Sequence, residues 1–264
     1  MTFAERLAAL CQERRSHVCV GLDPLPDRLP AAVRGADDPV FAFNRAIVDA
    51  TLDLAPVYKP NLGFYEALGL AGWSSLKKTV DYIGRRAFVI GDGKRGDIDA
   101  TAVAYARAMF DVFGFDACTV NAYQGVDAVG PFLARRDRGV FVLCRTSNRS
   151  AVDLQDCRIG DQTVHERIAR LAVGWNREGN CGLVAGATYP EELARVRAIA
   201  VGLPLLIPGV GAQGGDAAAS ARGARGGPFV INASRSIIYA GDGPDFAEAA
   251  RRAATRLRDE IAAA

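Results

Sequence analysis

The sequence predicts a closed (β/α)8 (TIM) barrel, α/β in class, and three observations carry that prediction. Eight short apolar runs alternate with longer amphipathic segments, the pattern of repeated βα units around a parallel sheet. A length of 264 residues is long for one ordinary domain but suits a closed barrel. The first apolar run leads into Asp23-Pro24-Leu25-Pro26, not into the glycine-rich phosphate turn that a doubly wound open sheet needs at that point.

Taken in order, the first fifteen residues carry charge on both sides of a short apolar face, which predicts an amphipathic helix rather than a signal peptide. Strands are predicted at Val18–Leu22, Val57–Lys59, Phe88–Asp92, Ala117–Asn121, Val140–Cys144, Gly182–Ala185, Leu205–Ile207 and Phe229–Ile231. Helical patterns fall between them near Val40–Leu54, Trp73–Arg86, Thr101–Phe113, Val126–Arg135, Thr163–Glu178, Glu191–Ala200 and Asp216–Arg222. An alanine- and arginine-rich helix is predicted from about Asp245 onward. No linker or low-complexity stretch interrupts the pattern, so residues 1–264 are expected to form one catalytic domain.

Composition narrows the function classes. Half of the residues are hydrophobic, enough for a large core, and the 23% charged fraction argues against disorder. No run of about 18 apolar residues is present, so no membrane span is expected. The net charge of +2 is spread along the chain without a basic stripe, which argues against a nucleic-acid partner. The six cysteines form no C-x-x-C pair, and four lie in apolar runs. They read as reduced buried thiols of a cytoplasmic protein. With only His17 and His165 in the chain, a histidine-based metal centre is poorly supplied, and no metal is expected in the site.

The chain has 28 arginines but four lysines, Lys59, Lys77, Lys78 and Lys94. A lysine can give up its proton when its surroundings shift its pKa, whereas arginine stays charged. Lys77 and Lys78 lie in a polar helical stretch, while Lys59 and Lys94 both end apolar strands.

Loops after the strands carry the chemistry of such barrels. Those positions here hold Asp23, Lys59, Asn61, Asp92, Lys94, Asp97, Asn121, Thr146, Ser147, Asn148, Gln213, Asn232, Ser234 and Arg235. The densest piece is Asp92-Gly-Lys94-Arg-Gly-Asp97, with Thr101 at the start of the next helix. Asp92 and Lys94 are two apart, so on a strand they share the barrel-facing side. Lys94 is then flanked by two carboxylates, and Lys59 extends the alternation of charge. The alternative is an ion-pair network that only fixes the barrel, a poor route to stability.

A second constellation suits a phosphate. Pro208-Gly-Val-Gly-Ala-Gln213-Gly-Gly-Asp216 follows the seventh strand, and Asn232-Ala-Ser234-Arg235 follows the eighth. Loops at these two places commonly grip phosphate through backbone N–H groups and an arginine. Plain turns would account for the glycines but not for Gln213 and Arg235.

These segments resemble the orotidine 5′-phosphate decarboxylase family. Asp92-Gly-Lys94-Arg-Gly-Asp97-Ile98 with Thr101 fits its D-x-K-x-x-D-I-x-x-T signature. Val20-Gly-Leu-Asp23-Pro24, Lys59-Pro-Asn-Leu-Gly-Phe-Tyr-Glu66, Arg145-Thr-Ser-Asn148, Gly186-Ala-Thr188 and the Pro208–Asp216 segment are similar to its long bacterial branch. Gly93 and Asn232-Ala233 depart from the family pattern.

The resemblance implies a catalytic tetrad of Lys59, Asp92, Lys94 and Asp97, with Lys94 donating a proton to C6 of the pyrimidine and no cofactor. It also implies that Asp23 binds the ribose hydroxyls, that Ser147 meets the pyrimidine edge, that Gln213 and Arg235 hold the phosphate with Gln213 also closing over the base, and that Pro208 and Ser234 bind substrate. Asp97 and Thr101 would reach the site of a second subunit, making the enzyme a homodimer. Two rival readings stay open: a metal-dependent sugar-phosphate enzyme on the same barrel, and a catalytically silent nucleotide binder.

Overall fold

The computed structural model describes residues 1–211 and 214–264. Barrel strands β1 (Val18–Gly21), β2 (Val57–Lys59), β3 (Phe88–Arg95), β4 (Ala117–Val120) and β5 (Gly139–Arg145) come first. A small antiparallel pair, β6 (Arg158–Ile159) and β7 (Gln162–Thr163), then lies outside the barrel. The ring resumes with β8 (Cys181–Ala185), β9 (Leu205–Pro208) and β10 (Phe229–Ala233). All eight barrel strands pair in parallel, and β10 closes on β1 with Val18 opposite Ile231. Closure leaves the ring without a free edge.

Alternation along each strand divides the apolar residues between two layers. One set, including Val18, Val20, Val89, Cys118, Val140 and Ile207, packs outward against the helices. The other fills the barrel with one side chain from each strand: Cys19, Val57, Ile90, Ala117, Phe141, Val184, Leu206 and Val230. Phe3, Leu7 and Cys11 of the helix Phe3–Arg14 join this inner cluster. Phe3 stacks on Phe88 at the first residue of β3, with ring centroids 5.6 Å apart, so the helix plugs the N-terminal end of the barrel. Thr2 and Glu5 cap that helix reciprocally, which satisfies two of its unpaired N–H groups.

Two residues further along the same strand face come Lys59, Asp92, Thr119, Pro208 and Asn232. The strand periodicity that fills the floor with hydrocarbon thus delivers a polar layer directly above it.

The predicted elements are found, β2 with its predicted ends and most others with shifted ones. β3 runs three residues past its predicted end at Asp92, and its register against β4 slips between Gly91 and Arg95. The helix predicted from Thr101 begins at Asp99 and passes at Ala108–Val112 into a single π turn that buries Met109 and Phe110. The short helices Ala31–Arg34 and Leu62–Glu66 were not foreseen, because so short a stretch shows no period.

Five cysteines are buried, Cys157 is exposed, and all six are free thiols. Burial pushes the Cys11, Cys144 and Cys181 thiols up to about 12, which leaves them inert. Among the described residues no helix is long and apolar enough to cross a membrane.

Candidate active site

A cavity of about 660 Å³ opens at the C-terminal ends of the barrel strands. Lys59, Asp92, Lys94 and Thr119 line it, and Asp23, Ser147, Pro208, Ser234 and Arg235 are also on its walls. Both constellations singled out in the sequence therefore face one space.

Asp92 is the hub. Lys59 Nζ donates to its Oδ2 at 2.6 Å, and Lys94 Nζ donates to its Oδ1 at 2.6 Å. The hydroxyl of Thr119 also donates to Oδ1, at 2.8 Å. The side chains of Lys59 and Asp92 are 4% and 9% exposed, whereas that of Lys94 is 45% exposed and opens to the cavity. Burial favours the neutral form of Asp92, but the two ammonium groups outweigh it and hold the carboxyl well below the usual carboxylate range. Burial likewise pulls the Lys59 pKa down, but the charges of Asp92 and Asp23 overcome it and leave it raised. Asp92 is thus held as a carboxylate and Lys59 as an ammonium at neutral pH, with Lys59 on the buried side of Asp92 and Lys94 on the open side.

Lys94 reaches this position by an irregular backbone. Its φ is +46°, in the left-handed region that a side chain with a Cβ rarely adopts. Alternation along an even strand does not therefore explain why Asp92 and Lys94 meet; the irregularity at the end of β3 brings them together.

The walls are built from loops. Asp23 Oδ1 accepts the Asn61 backbone N–H at 3.0 Å, which ties the loop after β1 to the loop after β2. Ser147 sits against Gly186, where an added Cβ would lie 2.8 Å from the serine backbone, so only glycine permits that approach. The Ser147 carbonyl accepts from Thr188 Oγ1 at 3.1 Å. Beneath it, the buried Arg145 guanidinium grips both oxygens of Asp156 at 2.8 and 3.0 Å. The same group donates to the Thr146 carbonyl and lies 4.1 Å over the Tyr189 ring. After β9, Pro208–Gly211 turns over the cavity with Gly209 and Gly211 at positive φ. Ser234 bonds the Gly21 carbonyl at 3.3 Å, and Arg235 is exposed at the rim.

Gln213 lies outside the described residues. Asp97 and Thr101 are not on the cavity wall of their own chain. Asp97 Oδ1 instead accepts the Ile98 N–H at 2.8 Å, and Thr101 is exposed on its helix. The expectation that Lys94 is flanked by two carboxylates is corrected accordingly: within the described residues of one chain, only Asp92 pairs with it. The turn Gly96–Ile98 carries Asp97 away from the end of β3. Sequence reading missed Thr119, although its place two residues after the core residue Ala117 was a usable signal. Arg145, Asp156 and Tyr189 carried none, because they meet only in the folded loop.

Fold and site together define the class: a (β/α)8-barrel enzyme with a lysine–carboxylate centre at its C-terminal mouth. The family model for the orotidine 5′-phosphate decarboxylase / HUMPS family matches residues 16–253. The chain is 50% identical over 268 residues to an orotidine 5′-phosphate decarboxylase from Azoarcus sp. (strain BH72), covering 99% of this chain and 98% of that protein. It is 46% identical to one from Roseiflexus sp. (strain RS-1), with 100% and 98% covered. Among solved structures, the OMP decarboxylase of Leishmania donovani superposes with a TM-score of 0.86 at 38% identity, covering 100% of this chain and 98% of that one. The chain belongs to the orotidine 5′-phosphate decarboxylase family.

Proposed function

We propose that this chain converts orotidine 5′-phosphate to UMP and CO2 in pyrimidine biosynthesis, without a cofactor, and that Lys94 protonates C6. The observation that carries the reading is the placement of the Lys94 ammonium, open to the cavity yet 2.6 Å from a carboxylate that Lys59 holds ionised from the other side.

Cleavage of the C6–carboxyl bond leaves its electron pair in an sp2 orbital that the ring cannot delocalise. The Lys94 N–H lies where that charge develops and transfers its proton to C6, and the amine then regains a proton from solvent. Asp92 would stand near the departing carboxylate. Charges already in place need little reorganisation, which is the main source of stabilisation in such sites. In this reading Arg235, Gln213, Ser234 and the Pro208–Gly211 turn hold the phosphate, Asp23 binds the ribose hydroxyls and Ser147 the pyrimidine edge. Remote phosphate binding then helps to close the site.

The test is loss of orotidylate absorbance by the wild-type chain after exhaustive EDTA treatment. Undiminished turnover is the expected result. Turnover restored only by Mg2+ would favour the metal-dependent sugar-phosphate reading, and its complete absence would favour a silent nucleotide binder.

The active form is proposed to be a cytoplasmic homodimer in which Asp97 and Thr101 complete the partner's site. Asp97 does not line its own cavity, and the exposed apolar side chains of Ile98 and Val103 follow it along the chain. Exposed apolar groups around a catalytic residue are what a subunit interface would cover. Inactive Lys94→Ala and inactive Asp97→Ala chains, unfolded and refolded together, should regain about a quarter of wild-type activity, since half the dimers then hold one intact site of two. Activity that stays absent after mixing would place both residues in one chain's site.

A further inference from the structure

We infer that Thr119 is a positioning residue for this reaction, one hydroxyl setting both the carboxylate of Asp92 and the backbone of Lys94. The inference rests on the decarboxylase reading above and deepens it. Thr119 is 1% exposed on β4, with its hydroxyl turned to the cavity floor. The Lys94 backbone N–H donates to Thr119 Oγ1 at 2.9 Å, and Thr119 Oγ1 donates to Asp92 Oδ1 at 2.8 Å. A backbone N–H can only donate and a carboxylate held ionised can only accept, so the direction of both bonds is determined. The threonine has a single proton, and it is committed to Asp92.

Each bond controls a group that nothing else holds as well. Asp92 Oδ2 is set by Lys59, while among the described residues Oδ1 has the half-exposed Lys94 ammonium and the buried threonine. Lys59 and Thr119, anchored on β2 and β4 at either side of β3, together fix the plane of the carboxylate. Lys94 sits at φ +46° where the β3–β4 register slips, so the ladder does not dictate its conformation. A residue in that region persists only where its surroundings hold it, and the bond to Thr119 ties its N–H to the neighbouring strand. Misplacing a reacting group by about 1 Å can cost roughly 100-fold in rate. A threonine that merely satisfied its own hydroxyl in the core would affect stability alone.

The experiment compares Thr119→Val, which keeps the branched shape and removes the hydroxyl, with Thr119→Ser, which keeps the hydroxyl. Expected is a fall in kcat of about 100-fold for Thr119→Val at a KM within about 2-fold of wild type, and recovery to within about 5-fold for Thr119→Ser. The Lys94 amide, followed by NMR hydrogen exchange without ligand, should be protected in wild type and Thr119→Ser and exposed in Thr119→Val. Wild-type kcat in Thr119→Val overturns the inference, as does a loss that serine fails to restore. If Thr119→Val does not fold, Thr119→Ser and the wild-type amide carry the test: an unprotected Lys94 amide in wild type, or a serine variant as slow as the 100-fold loss, overturns it. Should wild type itself fail to turn over orotidine 5′-phosphate, the decarboxylase reading is what fails, while amide exchange still tests the bond.

Discussion

Lys94→Ala is expected to abolish UMP formation while leaving a folded protein that still binds UMP. The lysine would supply two effects at once, a proton to the nascent carbanion and a fixed positive charge beside it. General acid catalysis is typically worth about 10²–10⁴-fold, and removal of one preorganised donor costs about 10²–10³-fold. A combined loss of at least about 10⁴-fold is therefore predicted. The fold should tolerate the change, because the Lys94 side chain is 45% exposed and Asp92 keeps Lys59 and Thr119 as partners. Lys94→Arg should fail as well, since guanidinium keeps the charge but does not release its proton near neutral pH. Single-turnover absorbance and calorimetric titration with UMP measure the two properties separately. Near-normal turnover in Lys94→Ala would end the proposed mechanism.

Asp92→Asn is expected to cost stability as well as activity. In the wild type, Lys59 is a buried cation whose leading compensation is the Asp92 charge. An amide removes that charge and presents N–H donors to an ammonium. Breaking a buried pair in this way costs about 3–5 kcal/mol, a clear fall in the denaturation midpoint. The pH dependence should change with it. The depressed Asp92 pKa contributes stability that is present above the ordinary carboxylate value of 3.8 and is lost as pH falls below it. The raised Lys59 pKa contributes stability that is complete below the ordinary lysine value of 10.5 and is lost as pH rises through the folded value.

In Asp92→Asn, burial would dominate and bring the folded Lys59 pKa below 10.5. The unfolded chain then binds more protons across that window, so stability should rise with pH toward 10.5 instead of staying level. Urea midpoints from pH 6 to 10 would show it. A variant as stable as wild type at every pH would mean that Lys59 does not depend on Asp92.

The two largest effects fall on residues that could be picked out before any coordinates. Lys59 and Lys94 stood apart because they end apolar strands in a chain that otherwise uses arginine, and Asp92 because it shares their place. The eight strands were visible for a simple reason: a strand buried on both faces reads as a short apolar run, and glycine, proline and polar turns punctuate it. Ser147, Ser234 and Arg235 were singled out by position, since every loop after a barrel strand opens on the same end, while their roles and the choice of Pro208 came with the family resemblance.

Short apolar runs and amphipathic periods by themselves marked the eight βα units of the barrel and placed Lys59, Asp92 and Lys94 at strand ends. They act over a few residues, so they are written into short stretches of sequence. Tertiary structure decided the rest. The left-handed turn at Lys94, the partnership of Thr119 with both Asp92 and Lys94, the Arg145–Asp156 clasp beneath Ser147, and the departure of Asp97 from its own cavity all join groups on different elements. Such contacts depend on strand register and on the paths of irregular loops. Both are set by how the whole ring packs, not by any local period.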